Sequence, residues 1–584
     1  MNRKLIAALE LGYVASVFML CMFYALYKYT FSFNYQQIPE GGHYLALPVI
    51  AGLTALFAVY KAVRHARPEY VTVDGLVMLV LVVSEVLIVT GSGWYNLHNE
   101  VWVNTFCALS VYLLLRLGGQ SAFRKVIVPI ILLFFLIELS FGYTLLFTHF
   151  GSGRLPLLIT GHLENSGMYA IYLVLHFPLV HYWVSANIKN GQAKWGIQAV
   201  VIAAAGVLVL IVQSRAAMIG AACYGILLMM DVPFCRKHRK RILLAGVVVL
   251  LLLAAGLIFL KPGSAFGRFI IWKISLGHWQ EYIWTGIGYG RFPVAYPSWQ
   301  ISYFESLPVP AISEVLSADE VYVAYNEPLQ WLTETGLPGL AVLLYGIWRL
   351  ISRQHEQQAL LPRQLQSTLL ILLVMSLFSY PLHVNAILVL VSAIMAGLAP
   401  LTFRRCNLPG LRWGKFGLAA LLPAVTIVST NTYRVVKHWN GLQEDVMITE
   451  KERVAAYDRL YPALTYNPHF LLDYGILLLS QQDERAVEIL EESKSRLITV
   501  AVLNALTQAY ESRGNMQAAI SNAAALAYFV PYKFTYRKNL MDLYLKAGFP
   551  EKARETARWI VAMPVKKDDE TVVNIKRIAG SLLE

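Results

Sequence analysis

Charged residues are scarce in this sequence. They make up 15% of its 584 residues, whereas hydrophobic residues make up 57%. Soluble globular domains carry roughly a quarter charged residues, so this balance excludes an ordinary soluble protein. The composition predicts a chain that lies largely within a membrane.

Cysteines and paired aspartates are also few or missing. The chain has 5 cysteines, and none of them falls in a predicted oxidising compartment or in a zinc-binding spacing. No Asp-x-Asp pair occurs in the sequence, so the usual carboxylate pair of metal-dependent sugar transfer is missing. The sequence therefore predicts no disulfide, no metal site and no cofactor.

Long apolar runs dominate what is present, and each is about 20 residues long, as a bilayer core requires. We predict an all-α fold in which a polytopic transmembrane helix bundle of about 13 spans precedes a soluble helical-repeat domain. The predicted spans are 5–26, 45–63, 75–92, 102–117, 126–148, 167–186, 197–213, 216–234, 242–260, 328–348, 366–382, 384–401 and 416–431.

Basic residues are distributed unevenly between the loops that join these spans. Thirteen spans place the two ends of the chain on opposite sides of the membrane, and the positive-inside rule assigns the sides. Segments such as 61–67, 236–241 and 404–415 are rich in Lys and Arg, whereas loops on the opposite side hold few. We predict a bacterial inner-membrane protein with a cytoplasmic N-terminus and a periplasmic C-terminal domain. This asymmetry explains much of the net charge of +13, so no nucleic-acid partner is predicted.

Two regions lie outside the predicted membrane spans. The longer connection, 261–327, is rich in apolar and aromatic residues and is expected to be an ordered periplasmic loop. In the C-terminal region a Tyr, a Gly and an Ala recur after 34 residues, which is the tetratricopeptide period. Such repeats bind protein partners, or this domain simply packs on the loop. The predicted domains are N-terminal transmembrane helices (1–260), the loop (261–327), C-terminal transmembrane helices (328–435) and the repeat domain (440–584).

Three of the arginines on the predicted periplasmic side are candidates for a binding site. Arg215 follows a span, Arg268 opens the long loop, and Arg291 follows a glycine-rich run at 286–290. Guanidinium groups near the bilayer suit a lipid-linked pyrophosphate, because they are planar, permanently charged and bidentate donors. Anchoring of span ends by snorkelling is the alternative. The glycine run lacks the strand and helix that flank a nucleotide-binding loop.

Carboxylates inside the predicted spans include Glu10, Glu85 and Glu138. Ionisable groups are costly in hydrocarbon, so they are functional candidates. They would carry protons if the protein were a proton-coupled transporter. The alternative is that they are neutral or hydrogen-bonded inside the bundle.

Four segments resemble the bacterial O-antigen ligases, O-antigen polymerases and protein O-oligosaccharyltransferases, which share one integral-membrane glycosyltransferase fold of the C type. The resemblance covers about 160–400, and the repeat domain is similar to those of some members. The segments are TGHLENSG (160–167), QSRAA (213–217), GR through WK (267–273) with GIGYGRF (286–292), and YNEPLQ (325–330) with ETG (334–336).

The resemblance implies an activity and a set of site residues. Members transfer a glycan from undecaprenyl pyrophosphate to an acceptor hydroxyl on the periplasmic side, without metal or nucleotide. Arg215 and Arg268 would bind the pyrophosphate, and Arg291 would be a third contact. The remaining candidates are Gly161, Asn165 and Gln330 for substrate binding, and Tyr325, Asn326, Glu327 and His383 for catalysis.

One position departs from the family pattern. Many members have a histidine before the Asn of the last motif, where it is thought to activate the acceptor, but this chain has Tyr325. A tyrosine with an ordinary pKa of about 10 is a poor general base. Glu327 is the first alternative, His383 is the second, and either could instead cap a helix. Positioning of the acceptor without a base is a third possibility.

The acceptor stays open at this point. A repeat domain on the catalytic side favours a periplasmic protein acceptor or an assembly partner, lipid A-core would make the protein an O-antigen ligase, and a carrier-linked glycan would make it a polymerase. An exporter or flippase is the alternative from another class, supported by the buried glutamates. A non-catalytic scaffold that holds partners with its repeats is a third.

Overall fold

The protein is all-α, as predicted. The strands among the described residues are two short segments of two residues each. They pair antiparallel, with Val71 opposite Cys406 and Thr72 opposite Arg405. The structure is a computed structural model, and it describes residues 3–27, 43–64, 71–72, 100–230, 238–258, 262–307, 310–352, 360–402, 405–406, 414–565 and 569–584.

The membrane part of the chain is a bundle of apolar helices. Six described stretches are long and apolar enough to cross a membrane, and four shorter helices are also apolar. The helices are Arg3–Tyr27, His43–Arg64, Glu100–Ala122, Val128–Thr148, Leu155–Leu158, Ser166–Leu175, Phe177–Asn187, Gly191–Val212, Arg215–Met229, Arg239–Ile258, Glu327–Ser352, Leu360–Ser376, Asn385–Thr402 and Gly414–Glu444.

Most predicted spans coincide with these helices. The predicted span 75–92 lies outside the described residues. The predicted spans 102–117 and 126–148 are joined by a π-helical turn, Phe123–Ile127, and Gly119 breaks the regular helix geometry just before it. The helical path therefore continues from one span into the next with a kink.

The centre of the bundle is the helix Ser166–Leu175. Eight of its residues are buried, from Met168 to Leu175, so it is apolar on every side, as expected for a helix enclosed by others. It packs against Arg215–Met229, Gly191–Val212 and Leu360–Ser376. This packing fixes the segment 160–165, which precedes the helix.

The predicted long loop contains helices of its own. Ile270, Ile274, Tyr282 and Tyr296 are buried and form one apolar cluster there. Burial of these side chains explains why a segment between two predicted spans is ordered. Its helices are Pro262–Gly277, Trp279–Tyr282, Phe292–Ser306 and Ile312–Ser317.

The C-terminal region, 440–584, which we call the repeat domain, is a row of helices in which consecutive members pack together. Gly514 and Gly548, 34 positions apart, each follow a helix with φ of +73° and +78°, and a residue in this left-handed conformation commonly ends a helix. The assignment to tetratricopeptide repeats stays a prediction. The helices are Glu450–Leu464, Pro468–Ser480, Ala486–Arg496, Val500–Ser512, Met516–Phe529, Phe534–Lys546, Pro550–Ala562 and Glu570–Ser581.

The repeat domain packs on the segment 262–326. Gln300 donates to the carbonyl of Phe529 at 2.5 Å, and Tyr532 donates to Asp319 at 2.9 Å. Apolar side chains of both regions belong to one buried cluster. The repeat domain therefore stabilises the segment 262–326, which precedes the last sequence motif.

Candidate functional site

Three of the four sequence motifs contact one short turn, 377–383. Each contact is a hydrogen bond from a motif side chain to this turn. Because the motifs are far apart in sequence, the fold itself creates the cluster. The bonds are Asn165 Nδ2 to Tyr380 Oη (3.3 Å), Asn326 Nδ2 to the Leu377 carbonyl (3.1 Å) and Arg268 Nη1 to the Phe378 carbonyl (2.5 Å).

Arg268 lies at the middle of this cluster. Its guanidinium group is 5.3 Å from the centre of the Tyr325 ring, as in a cation–π contact. Burial and, to a smaller extent, the positive charge of Arg215 lower the pKa of Arg268 to about 10, although Tyr325 and Tyr380 oppose the change. Arg268 is thus charged at neutral pH but poorly hydrated, which strengthens its attraction for an anion.

Arg215 provides the second positive charge. It begins the helix Arg215–Met229, where the helix dipole adds positive potential, and it donates to the Ser264 hydroxyl at 2.9 Å. Its charge acts directly on Arg268. The two guanidinium groups are near enough to interact electrostatically, and a pair of this kind would suit an anion with more than one phosphate.

Glu327 is a buried carboxylate at the start of the helix Glu327–Ser352. Its side chain is 3% exposed. Oε1 accepts the N–H of Leu382 at 2.8 Å and lies 3.2 Å from Nδ1 of His383. Oε2 is also buried, and no described residue donates a hydrogen bond to it. A buried acceptor without a donor costs stability, so Oε2 can gain from a hydroxyl that reaches it.

The tautomer of neutral His383 follows from its neighbours. The Gln330 side-chain oxygen accepts the Ala324 N–H at 3.0 Å, and its nitrogen donates to Glu334 at 3.1 Å. That nitrogen also lies 2.8 Å from Nε2 of His383, which must then accept. Nδ1–H is left to donate to Glu327. Burial lowers the pKa of His383, but Glu327 and Glu334 more than offset this and hold it above its ordinary value.

Glu334 organises the glycine-rich segment. Its carboxylate accepts the N–H groups of Gly290 at 2.9 Å and of Phe292 at 3.3 Å. Gly286 has φ of +71°, and a Cβ there would lie 2.0 Å from the Glu334 carbonyl oxygen. The glycines therefore allow a close backbone approach between 286–292 and the helix that carries Glu327.

Tyr325 and Asn326 shape the entry to this helix. Tyr325 has φ of +53°, and its ring packs edge-on against Tyr380 at 5.0 Å. Burial raises the pKa of Tyr325, although Arg268 opposes this, so its hydroxyl stays protonated at neutral pH. The Asn326 side chain accepts the Leu329 N–H at 2.9 Å and caps the helix.

The segment 160–167 lies beside the same turn. Asn165 caps the following helix by accepting the Met168 N–H at 3.1 Å. Gly161 has φ of +58°, and a Cβ there would clash with the Glu138 carboxylate. That carboxylate accepts the N–H of His162 at 3.0 Å and lies 2.9 Å from its Nδ1. Glu138 thus holds this segment in place.

Arg291 is placed differently from the other two arginines. It precedes the helix Phe292–Ser306, and its backbone N–H donates to Gly288. Among the described residues, no contact joins its side chain to Arg215 or Arg268.

Glu10 is ion-paired, and Glu85 lies outside the described residues. Lys61 donates to Glu10 at 2.6 Å, and Tyr60 donates to it at 3.0 Å. Both contacts join the first two membrane helices. They favour a structural role for Glu10.

Glu334 and Tyr380 were not predicted as site residues from the sequence. Glu334 stands in the ETG segment that carries part of the family resemblance, which was a usable signal. Tyr380 belongs to none of the four motifs, and its contacts with Asn165 and Tyr325 depend on tertiary structure. Within the described ranges, His, Cys, Asp and Glu side chains form no group of three that could hold a metal ion.

Comparison with protein families identifies the central part of the chain. Residues 199–344 match a family model described as O-antigen ligase. These residues belong to the O-antigen ligase superfamily. No curated protein matches the chain. The match and the apolar helices together identify a multi-pass inner-membrane glycosyltransferase of the O-antigen ligase or polymerase type.

The O-antigen ligase segment includes only part of the cluster. It contains Arg215, Arg268, Glu327 and Glu334 but ends before His383. Asn165 lies before the matched segment, and the turn 377–383 lies after it. The site is thus assembled from the matched segment and its flanks.

Proposed function

We propose that the protein transfers a glycan from undecaprenyl pyrophosphate to a periplasmic acceptor hydroxyl, and that Glu327 accepts the proton of that hydroxyl. The observation that carries this proposal is the buried Glu327 carboxylate, which has donors on Oε1 and none from the described residues on Oε2. It lies on the turn that also binds Arg268.

Arg268 and Arg215 are the groups proposed to bind the pyrophosphate. When the bond between the anomeric carbon and the pyrophosphate oxygen breaks, its electron pair moves to that oxygen. Fixed guanidinium groups in a poorly hydrated site stabilise this charge as it develops. Pyrophosphate needs no proton to leave, so the step requires neither a strong acid nor a metal ion.

Glu327 is proposed to act on the acceptor. Oε2 takes the hydroxyl proton while the acceptor oxygen forms its bond to the anomeric carbon, opposite the departing pyrophosphate, so the configuration inverts. His383 donates from Nδ1 to Oε1 and fixes the carboxylate. The products are the glycosylated acceptor, undecaprenyl pyrophosphate and a protonated Glu327, which returns its proton to water.

Tyr325 has a positioning role in this proposal. Burial raises its pKa, so even less of the basic phenolate form is present at neutral pH than in an ordinary tyrosine. Its ring instead supports the Arg268 guanidinium. The residue that replaces the family histidine would therefore orient the donor site while Glu327 serves the acceptor.

The acceptor belongs to one of three classes: lipid A-core, a periplasmic protein or a second carrier-linked glycan. The third class would make the protein a polymerase. The repeat domain hydrogen-bonds to Asp319, a few residues before Tyr325. This proximity favours an acceptor or partner large enough to contact the domain, and on this ground we favour a protein acceptor or a protein-assisted reaction.

Export of a glycan is the second candidate class, and it rests on carboxylates inside the bundle. Glu10 is paired with Lys61, and Glu138 with His162. Each carboxylate thus has a partner within the fold, and these pairs favour a structural role over proton transport.

The test is a transfer assay with purified full-length protein and a defined polyprenyl-pyrophosphate glycan. Lipid A-core, periplasmic proteins and a second carrier-linked glycan serve as separate acceptors. We expect labelled product with one of them and loss of product in Arg215→Ala and Arg268→Ala, while Arg291→Ala is the matched control. A wild-type protein that transfers to none of the acceptors would overturn the proposal and favour the exporter or the scaffold.

Membrane orientation needs a separate test. Basic residues favour a cytoplasmic N-terminus and a periplasmic repeat domain. Alkaline phosphatase fused after Glu584 should be active, because it folds in the periplasm only. An inactive but stable fusion would place the repeat domain in the cytoplasm.

A further inference from the structure

A second polar pocket lies at the opposite end of the bundle from the candidate site. It is bounded by the C-terminal half of Arg215–Met229 and the first turns of Leu360–Ser376, and its volume is about 150 Å³. Arg215 begins the first of these helices, and a rise of 1.5 Å per residue puts Leu228 in the pocket wall roughly 20 Å away. The pocket is therefore separate from the site of Arg215 and Arg268.

Two polar atoms in the wall of this pocket have no described partner. The Tyr224 hydroxyl and the Gln364 side-chain oxygen are both buried, and neither has a hydrogen bond within the described part of the chain. The residues are 3% and 2% exposed. Native proteins satisfy nearly all buried polar groups. An occupant that accepts from Tyr224 and donates to Gln364 would satisfy both.

Among the described residues, the charges near the pocket are positive. Arg363 lines it. Arg363 and Lys194, which are both positive, act electrostatically on the His181 ring. The other polar side chains in the wall are engaged with backbone: Ser367 donates to the Arg363 carbonyl, and Gln366 to that of Leu350. An anionic group beside Arg363 fits this field.

The rest of the wall is apolar. Leu227, Leu228, Ile351 and Leu370 line it, and the sequence places the basic run 236–241 close after the first helix. Basic residues of this kind favour the cytoplasmic face of the membrane. A molecule with a phosphate for Arg363, a hydroxyl or ammonium for Gln364 and an apolar chain for the leucines would match each part of this wall.

We propose that this pocket binds the headgroup of a phospholipid in the membrane leaflet opposite the candidate active site. The phosphate accepts from Arg363 and Tyr224, a headgroup hydroxyl or ammonium donates to Gln364, and the leucines contact the start of an acyl chain. Nothing in this assignment depends on the transfer reaction. It gives the chain a structural lipid on its inner face.

The experiment measures lipid binding by full-length protein that has been stripped of lipid in detergent. Native mass spectrometry follows the binding of added phosphatidylglycerol to the wild type and to Tyr224→Phe and Arg363→Gln. Tyr224→Phe removes one oxygen that has no described partner, so it should fold normally. Tyr296→Phe is the matched control, because the Tyr296 hydroxyl is also buried without a described partner but lies in the 262–326 region.

We expect one tightly bound lipid per chain, and an affinity that falls roughly tenfold in each pocket variant and is unchanged in Tyr296→Phe. Equal lipid binding by the wild type and both pocket variants would overturn the proposal. So would inorganic phosphate that raises the unfolding temperature as much as the lipid does, since the ligand would then be a free anion.

Discussion

Two carboxylates in different regions of the molecule have opposite hydrogen-bonding states. At the junction of the last membrane helix and the repeat domain, Oδ2 of Asp473 accepts from Trp439 at 3.0 Å, Gln443 at 2.7 Å and Tyr457 at 2.5 Å. Oε2 of Glu327 is buried, and the described residues give it no donor. A saturated carboxylate stabilises the fold, whereas an unsaturated one costs stability and can accept a proton.

Replacement of each carboxylate by its amide tests this difference most strongly. In Glu327→Gln we expect kcat to fall by about 10²–10⁴-fold, because the amide cannot accept the proton, with an unfolding temperature equal to or above that of the wild type. In Asp473→Asn we expect a loss of about 1–3 kcal/mol in the free energy of unfolding, because the three donors would then face a neutral amide oxygen, whose hydrogen bonds are weaker than those of a carboxylate. Transfer assays and thermal unfolding of the same preparations give both values.

The comparison fails if the two variants behave alike. A Glu327→Gln protein that loses stability as Asp473→Asn does, and keeps its activity once folded, would make Glu327 a structural residue. His383 would then be the next candidate base.

Arg268 should have the next largest effect. Arg268→Lys keeps a positive charge but loses the planar group that lies on Tyr325 and donates to the Phe378 carbonyl. We expect transfer to fall by about 10²–10³-fold. Arg291→Lys is the control and should leave the rate unchanged. An unchanged rate in Arg268→Lys would mean that positive charge alone, and not the geometry of the Arg268 side chain, governs the rate.

The pH dependence of transfer should reveal His383. Its neutral form donates to Glu327 and accepts from Gln330, whereas a protonated Nε2 would face the donating amide. Activity should therefore fall as the pH drops through the pKa of His383, which Glu327 and Glu334 hold above its ordinary value against the effect of burial. The initial rate between pH 5 and pH 9 measures this. In His383→Asn the acid limb should move to lower pH or disappear, and an unchanged limb would assign it to another group.

Part of this arrangement could be predicted from the sequence. Apolar runs gave the helices because a span needs about 20 apolar residues wherever it lies. The motif arginines were found because guanidinium groups near the bilayer suit a lipid-linked pyrophosphate. The prediction added Arg291 as a third contact after Arg215 and Arg268, since sequence spacing carries no information on which arginines face each other.

The different roles of the two carboxylates, in contrast, could not be predicted from the sequence. Glu334 resembled Glu327 in sequence, yet it accepts from Gly290, Phe292 and Gln330 and organises a neighbouring segment. Glu334 and Glu327 differ in the number of hydrogen-bond donors around their carboxylate oxygens, and this number depends on the tertiary structure. Tyr380 was missed because its partners are more than fifty residues away, so no local pattern marks it.

The smallest expected effect concerns an exposed carboxylate, Asp319, which accepts from Tyr532 of the repeat domain at 2.9 Å. Asp319 keeps contact with water, so the loss of this bond in Tyr532→Phe should reduce the free energy of unfolding by only about 1 kcal/mol. The transfer rate should change little, since Trp272 and Gln330 hold Ala324 independently. A large loss of transfer at normal stability would instead show that the repeat domain sets the position of Tyr325. The exposed contact would then belong with Glu327 among the groups that control the reaction.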